Sequence, residues 1–182
     1  MNSIEQNNAD DFTKNLPENI SLDTYLKKAV DCIHKIVQCE NAGIRVKDGK
    51  GNIPFAALNG FDNEEWRKTE FCLSLEKNCV CTRMNNGKLD PYELEFTTPF
   101  GSFHIDSAGN FAKGLTEEQS KRYIGKCSLL GTSSVAFVPL VKDGEILGNI
   151  HLADTRDGYI SAEKVTAVEK IAAQIAQRIS TS

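Results

Sequence analysis

The sequence lacks the long apolar run that a membrane span requires and the concentrated basic face that nucleic acid attracts. No window approaches the roughly 20 apolar residues of a spanning helix, and no run of lysine and arginine is longer than two residues, as in Lys27-Lys28. The formal net charge of −4 also argues against direct binding to nucleic acid. The N-terminus is polar and acidic, without the basic-then-apolar pattern of a secretory signal. We therefore expect a cytoplasmic protein with no membrane insertion.

The short motifs of the common enzyme classes are also missing. The sequence has no GxxxxGK[ST], GxGxxG, HExxH or GxSxG, which mark P-loop proteins, dinucleotide-binding proteins, zinc proteases and serine hydrolases. Thiols stay reduced in the cytoplasm, so the 6 cysteines are not expected to form a disulfide framework. Free thiols, metal ligands and redox groups remain as roles for them.

The length of 182 residues and the hydrophobic content of 40% predict one globular domain. Residues 1–19 are rich in asparagine and aspartate, so we expect a disordered tail there and a single domain over residues 20–182. A helix is predicted from the N-cap Ser21 to about Cys39, because its apolar residues fall at spacings of three and four. Strands are predicted at Ala42–Val46 and Ile53–Leu58, and a short helix is predicted to follow at Asn63–Glu70.

The C-terminal third has the clearest pattern. Two apolar runs, Ser134–Val141 and Glu145–Ala153, flank Asp143-Gly144, the turn pair that most strongly predicts a tight hairpin. A helix is predicted over residues 161–180, after the N-cap Ser161. Between the two halves, residues 72–127 are interrupted by glycine and proline, and so long an irregular segment inside a compact domain is usually functional.

The last helix has an apolar seam with two interpretations. Its members recur at spacings of three and four: Val165, Val168, Ala172, Ile175 and Ile179. In one interpretation the seam packs on the sheet of its own chain. In the other it joins the helix at Ser21–Cys39 in a homodimer that passes a signal to an output domain. Both can hold, because such helices often use one face for each role.

The motifs NCVCTRM, TTPFGSFHIDS, KCSLLGTSSVAFVPL and GNIHLADTRDG resemble those of GAF domains, and more narrowly the GAF domains of bacterial and archaeal sensor histidine kinases. The resemblance implies an α/β (α+β) fold with a central antiparallel sheet of five or six strands. The N- and C-terminal helices would lie on one face and pocket-covering loops and helices on the other. It also implies a cytoplasmic sensory domain that binds a small ligand, or a metal or redox cofactor, and acts on a signalling output. The signatures of cyclic-nucleotide and bilin-binding members are missing.

The candidate ligand-binding residues lie on two segments. Alternation along the last strand places Asn149 and His151 together on its more polar face, which suits a pocket better than a helix contact. Phe103 and His104 of the TTPFGSFH segment supply aromatic and polar lining, together with Phe137 of the strand predicted at Ser134–Val141. A structural role for His151, with its ring bonded to a loop carbonyl, explains that residue nearly as well. The alternative for the aromatic residues is that they fill the end of the sheet.

Three cysteines form the candidate metal site. Cys79 and Cys81 are two residues apart and can aim at one soft cation, with Cys127 as a third ligand and His104 or His151 as a fourth. The cofactor stays open between zinc, iron, haem, an iron–sulfur cluster and none. Free cysteines are also often small buried hydrophobes, and redox chemistry is a third reading. Cys32, Cys39 and Cys72 are predicted to be core residues.

An enzymatic alternative is a free methionine-R-sulfoxide reductase, a stand-alone GAF domain that uses pocket cysteines. Cys127 precedes Pro139 at the distance typical of that family. The family surrounds this cysteine with histidine and acidic residues, whereas this chain has RYIGKCSLLG, so no acid is evident to protonate the sulfoxide oxygen. A dimerisation module with a vestigial pocket is the third alternative.

Overall fold

The computed structural model describes residues 12, 16–17, 19–60, 74–76, 79–122 and 131–181. The strands within these ranges are β1 (Asn41–Val46), β2 (Phe55–Asn59), β3 (Phe103–Ile105), β4 (Ser134–Lys142) and β5 (Glu145–Asp154). The helices are α1 (Leu22–Val37), α2 (Val80–Asn85), α3 (Pro91–Leu94), α4 (Ala108–Lys113), α5 (Glu117–Arg122) and α6 (Ala162–Ser180).

The five strands form one antiparallel sheet in the order β2-β1-β5-β4-β3. The tight hairpin between β4 and β5 turns at Asp143-Gly144, whose φ values of 51° and 82° are the left-handed conformation that this residue pair tolerates. The predicted antiparallel sheet of five or six strands is therefore confirmed. The edge strand β3, whose position was not predicted, lies inside the irregular segment at residues 72–127.

Several predicted boundaries move by one or two residues. The first helix ends at Val37 rather than near Cys39, because Gln38 adopts φ 55° and its amide donates to the His34 carbonyl at 2.8 Å. The second strand begins at Phe55 rather than Ile53. The short helix predicted at residues 63–70 lies outside the described residues.

The terminal helices α1 and α6 pack together on one face of the sheet, as expected. Buried side chains of both helices and of the three central strands form one cluster, which includes Ile33, Ile44, Ile150, Leu152 and Ile171. Ser21 and Ser161 accept hydrogen bonds from backbone amides in the first turns of α1 and α6, which confirms both predicted N-caps.

The apolar seam of α6 belongs to this core. Val165, Val168, Ala172 and Ile175 are each 0% exposed in the single chain, and Ile179 packs against the same cluster while partly exposed. The seam therefore packs on its own sheet and on α1, which is the first of the two interpretations given above.

A second cluster covers the opposite face of the sheet. It consists of buried residues from α2, α4, β3, β4 and β5, with Cys79 at the start of α2: Cys79, Val80, Cys81, Met84, Phe103, Ile105, Phe111, Val135, Phe137 and Ala153. The segment between the two halves of the sheet thus covers the face away from the terminal helices.

Most of the tail at residues 1–19 lies outside the described residues. Phe12 is described: it is 8% exposed, and its ring centroid lies 5.4 Å from that of Tyr25 on α1. No helix within the described ranges is long and apolar enough to cross a membrane.

Candidate functional site

Strand register brings four of the five candidate ligand-binding residues to one face of the sheet. Phe103 pairs with Phe137 across β3 and β4, and Phe137 pairs with His151 across β4 and β5. Residues that pair across antiparallel strands point to the same side, and Asn149 shares that side with His151 because they are two residues apart. We call this side, with Arg45 and Phe55, the pocket face.

Asn149 is a buried amide at the centre of the pocket face. It is 0% exposed and pairs with Arg45 on β1 and with Pro139 on β4. Within the described part of the chain, neither its Oδ1 nor its Nδ2 has a hydrogen-bond partner. A buried polar group without a partner costs about 1–3 kcal/mol of stability, and an amide left in this state is suited to a ligand that supplies both a donor and an acceptor.

Arg45 contributes a positive charge that the sequence analysis did not single out. Its side chain is 2% exposed, its Nη1 donates to the Ile53 carbonyl at 2.9 Å, and its guanidinium carbon lies 3.7 Å from the ring centroid of Phe55. The available signal was a charged residue within the otherwise apolar strand at Ala42–Val46, since buried arginines are rare unless paired.

His151 lies between two aromatic rings of the pocket face. The imidazole centroid is 4.7 Å from the Phe137 ring and 6.2 Å from the Phe55 ring, which is nearly parallel to it at 9°. Burial, together with the nearby positive charge of Arg45, holds the pKa of His151 well below its ordinary value of 6.5. The ring is therefore neutral at physiological pH, with one nitrogen as a donor and the other as an acceptor.

His104 lies on the other face of the sheet. It pairs with Ala136 of the helix-side core, and its Nε2 donates to the backbone carbonyl of Ile160, just before α6. The same nitrogen lies 3.1 Å from Oδ1 of Asp106. Neighbouring residues of a strand point to opposite sides, so Phe103 and His104 cannot both line the pocket face. The prediction that His104 lines it is wrong.

Cys79 and Cys81 lie at the beginning of α2 with their sulfur atoms 3.1 Å apart. They are 9% and 5% exposed and pack in the cluster that covers the pocket face. Hydrogen bonding from Cys81, and then from the hydroxyl and the backbone of Thr82, lowers the pKa of Cys79 to about 6 against the opposing effect of burial. We call these two side chains the thiol pair.

The proposed third cysteine ligand, Cys127, lies outside the described residues, as does Cys72. Within the ranges that are described, no group of three or more histidine, cysteine, aspartate or glutamate side chains is arranged to hold a metal. Of the two histidines considered as a fourth ligand, only His151 is on the same side of the sheet as the thiol pair. The metal site therefore stays a prediction that depends on Cys127.

Cys32 and Cys39 lie on the helix side of the sheet, away from the thiol pair. Cys39 is 1% exposed and belongs to the core, and Cys32 packs against it while partly exposed. Burial is the main cause that raises the pKa of Cys39 to about 11, which makes it a poor nucleophile. Their predicted role as core residues is consistent with these positions.

Solved structures of other proteins resemble this chain in fold. The GAF domain of a phosphoenolpyruvate-protein phosphotransferase from Coxiella burnetii aligns with a TM-score of 0.70 and 14% identity, over 100% of this chain and 96% of that one. A domain assigned to a two-component sensor histidine kinase protein of Sinorhizobium meliloti aligns with a TM-score of 0.57 and 16% identity, over 90% of this chain and 93% of that one. A type II free methionine-R-sulfoxide reductase from Thermoplasma acidophilum aligns with a TM-score of 0.58 and 16% identity, over 88% of this chain and 96% of that one.

A comparison with curated protein sequences found no match. The family model of the GAF domain matches residues 21–179, which is nearly the whole sequence. The element order, the single antiparallel sheet and the shared face of the two terminal helices agree with that match. The chain therefore belongs to the GAF domain family.

Proposed function

We propose that this GAF domain is a sensory module that binds a small molecule on the pocket face and passes its occupancy to a signalling output. The observation that carries the proposal is Asn149. A fold gains nothing from a fully buried amide with no partner, whereas a binding site gains a donor and an acceptor that are already desolvated and held on a rigid strand.

The chemistry of the pocket face favours a small planar molecule with a negative charge. Phe55, Phe137 and the neutral ring of His151 pack together and make this face aromatic. Arg45, which pairs with Asn149 across β1 and β5, adds a positive charge to the same face, and Asn149 supplies a donor and an acceptor. Heteroaromatic carboxylates and heterocyclic amides combine these features, and they are the ligand class that we propose.

The route to the output runs from β3 to the last helix. Phe103 is a fully buried member of the cluster on the pocket face, and the residue before it, Ser102, donates to the Glu169 carboxylate of α6 at 2.8 Å. A ligand that displaces Phe103 would therefore act on α6, to which a cytoplasmic output domain would attach.

We also propose a homodimer through the terminal helices α1 and α6, formed by the faces that are not buried in the core. Ile175 and its seam neighbours are buried in the single chain, so a dimer would use the remaining faces of α1 and α6. Sedimentation of the purified chain measures this directly.

A metal or redox cofactor held by Cys79, Cys81 and Cys127 is a second candidate for what the site binds, in place of an organic ligand. The contact between the thiol pair supports it, because soft cations prefer thiolate ligands. Elemental analysis and a UV–visible spectrum of protein purified without chelator test it, with Cys32→Ser as the control variant.

The enzymatic alternative, reduction of free methionine sulfoxide, is favoured by one observation, the position of the Cys79 sulfur 3.1 Å from that of Cys81. Incubation with free methionine sulfoxide and a thiol reductant, followed by amino-acid analysis, tests it. Formation of methionine that requires the cysteines would replace the sensory proposal.

Thermal unfolding in the presence of a ligand panel tests the sensory proposal. We expect planar heteroaromatic carboxylates or amides to raise the Tm of the wild-type chain, because a ligand that binds only the folded state stabilises it. The same compounds should have no effect on Asn149→Leu. The matched control is Ser134→Ala on β4, a fully buried polar side chain whose hydroxyl already donates to the Arg156 carbonyl at 2.9 Å. This variant should keep the ligand response, and equal Tm shifts in wild type and Asn149→Leu would contradict the proposal.

A further inference from the structure

The thiol pair is arranged for direct chemistry between its two sulfur atoms. The Cys79 and Cys81 sulfurs lie 3.1 Å apart, and a disulfide bond requires about 2.05 Å. Closing about 1 Å needs adjustment of side-chain torsions at the first turn of a short helix. The pair is held in place by Thr82, whose hydroxyl accepts from the Cys79 amide at 3.1 Å and donates to the Cys79 carbonyl at 2.9 Å.

We propose that Cys79 and Cys81 form a reversible dithiol–disulfide couple, oxidised by low-molecular-weight disulfides, in the cover of the pocket face. The couple is a modification site separate from ligand binding, because neither sulfur needs a ligand on the sheet to reach the other. Disulfides in reducing compartments are usually transient and serve catalysis or redox sensing.

The reaction consists of two thiol–disulfide exchanges. The Cys79 thiolate attacks one sulfur of a small disulfide, forms a mixed disulfide and releases one small thiolate. Cys81 then loses its proton to that thiolate, and its sulfur attacks the Cys79 sulfur and displaces the second small thiolate, which takes up the proton released by Cys79. The net change is oxidation of two protein thiols to one disulfide and reduction of one small disulfide to two thiols.

The position of the pair gives the couple a structural consequence. Cys79 and Cys81 pack in the same cluster as Phe103 and Phe137, and Cys79 is the residue from which α2 begins. A covalent bond between them changes the first turn of α2 directly above the pocket face. Oxidation of the couple therefore changes the packing against the pocket face, where we propose that the ligand binds.

The test uses the full chain equilibrated in buffers of oxidised and reduced glutathione that contain a chelator, so that no cation protects the thiols. After acid quenching, remaining thiols are alkylated and the protein is cut with trypsin. Both cysteines fall on one peptide, residues 78–83, between Lys77 and Arg83. The expected product is this peptide without alkylation and lighter by two hydrogen atoms, half formed at roughly tenfold less oxidised glutathione than oxidation of Cys32 or Cys39 requires.

A variant separates the two steps. In Cys81→Ser the mixed disulfide cannot resolve, so Cys79 should accumulate as its glutathione adduct, whereas Cys32→Ser should behave as the wild type. Full alkylation of the wild-type peptide in oxidised glutathione overturns the proposal. A stable glutathione adduct on the wild-type peptide, or a disulfide from it to another peptide, overturns it as well. None of these results bears on ligand binding, so the sensory proposal stands or fails separately.

Discussion

The hydroxyl of Ser102 donates a hydrogen bond of 2.8 Å to the Glu169 carboxylate, which joins the loop before β3 to the last helix. The Thr98 hydroxyl donates to the same oxygen at 2.5 Å. Ser102 is 0% exposed and directly precedes Phe103 of the pocket face. One carboxylate therefore connects the covering segment with the helix at the C-terminal end of the domain.

A double-mutant cycle between Ser102→Ala and Glu169→Ala should measure this connection. Hydrogen bonds to charged groups contribute about 1.5–3 kcal/mol when buried, and this carboxylate is partly solvated, so we expect each variant to lose about 1–2 kcal/mol of unfolding free energy. The double variant should lose less than the sum, because the same bond is removed twice. Gln177→Ala, an exposed position on the same helix, is the control. Additive losses would show that the two residues act independently.

Ile175→Ala should destabilise the single chain without changing its assembly. The side chain is 0% exposed in the helix-side core, and truncation of a buried isoleucine to alanine costs about 2–5 kcal/mol. Urea unfolding and sedimentation of the same sample are the measurements, with the exposed Ala173→Ser as the control. A dimer that dissociates into folded monomers in Ile175→Ala would mean that the seam serves an interface.

His151 should make the domain less stable in mild acid. Its pKa is held well below 6.5 in the folded chain, so the folded imidazole stays neutral while the unfolded one takes a proton as the pH falls below about 6.5. The free energy of unfolding should then fall by up to about 1.4 kcal/mol per pH unit below that point, and His151 should contribute no slope above it. His151→Phe should flatten the profile of unfolding free energy between pH 6.5 and 5. Equal slopes in both proteins would show that the folded imidazole also titrates there.

The sequence predicted the regular parts of the fold because their local signals agree with their tertiary context. Asp143-Gly144 can only be a turn between its apolar runs, and the caps Ser21 and Ser161 precede strongly periodic helices. Alternation along β5 was enough to place Asn149 and His151 on the pocket face. In these elements a period of two or of 3.6 residues already states which side is buried.

The remaining site residues depended on pairing that the sequence does not show. His104 was misplaced because β3 is only three residues long, and without a strand assignment nothing fixes which of two neighbours faces the sheet. Arg45 was overlooked because its burial follows from β2 and β5 lying on either side of β1. Cys81 lies within a helix of six residues, which is too short for a periodic pattern in the sequence to predict it.

The free energy of unfolding of Asn149→Leu, measured in urea on ligand-free protein, tests the central claim most directly. If the amide is kept for a ligand, replacing it with an apolar side chain of similar size removes an unsatisfied group, so the variant should be as stable as the wild type or more stable. Ser134→Ala, whose buried hydroxyl is bonded within the fold, should lose about 1–2 kcal/mol under the same conditions. A loss of about 1–3 kcal/mol in Asn149→Leu would show that the amide is bonded within the protein, and would contradict the assignment of the pocket face as a ligand site.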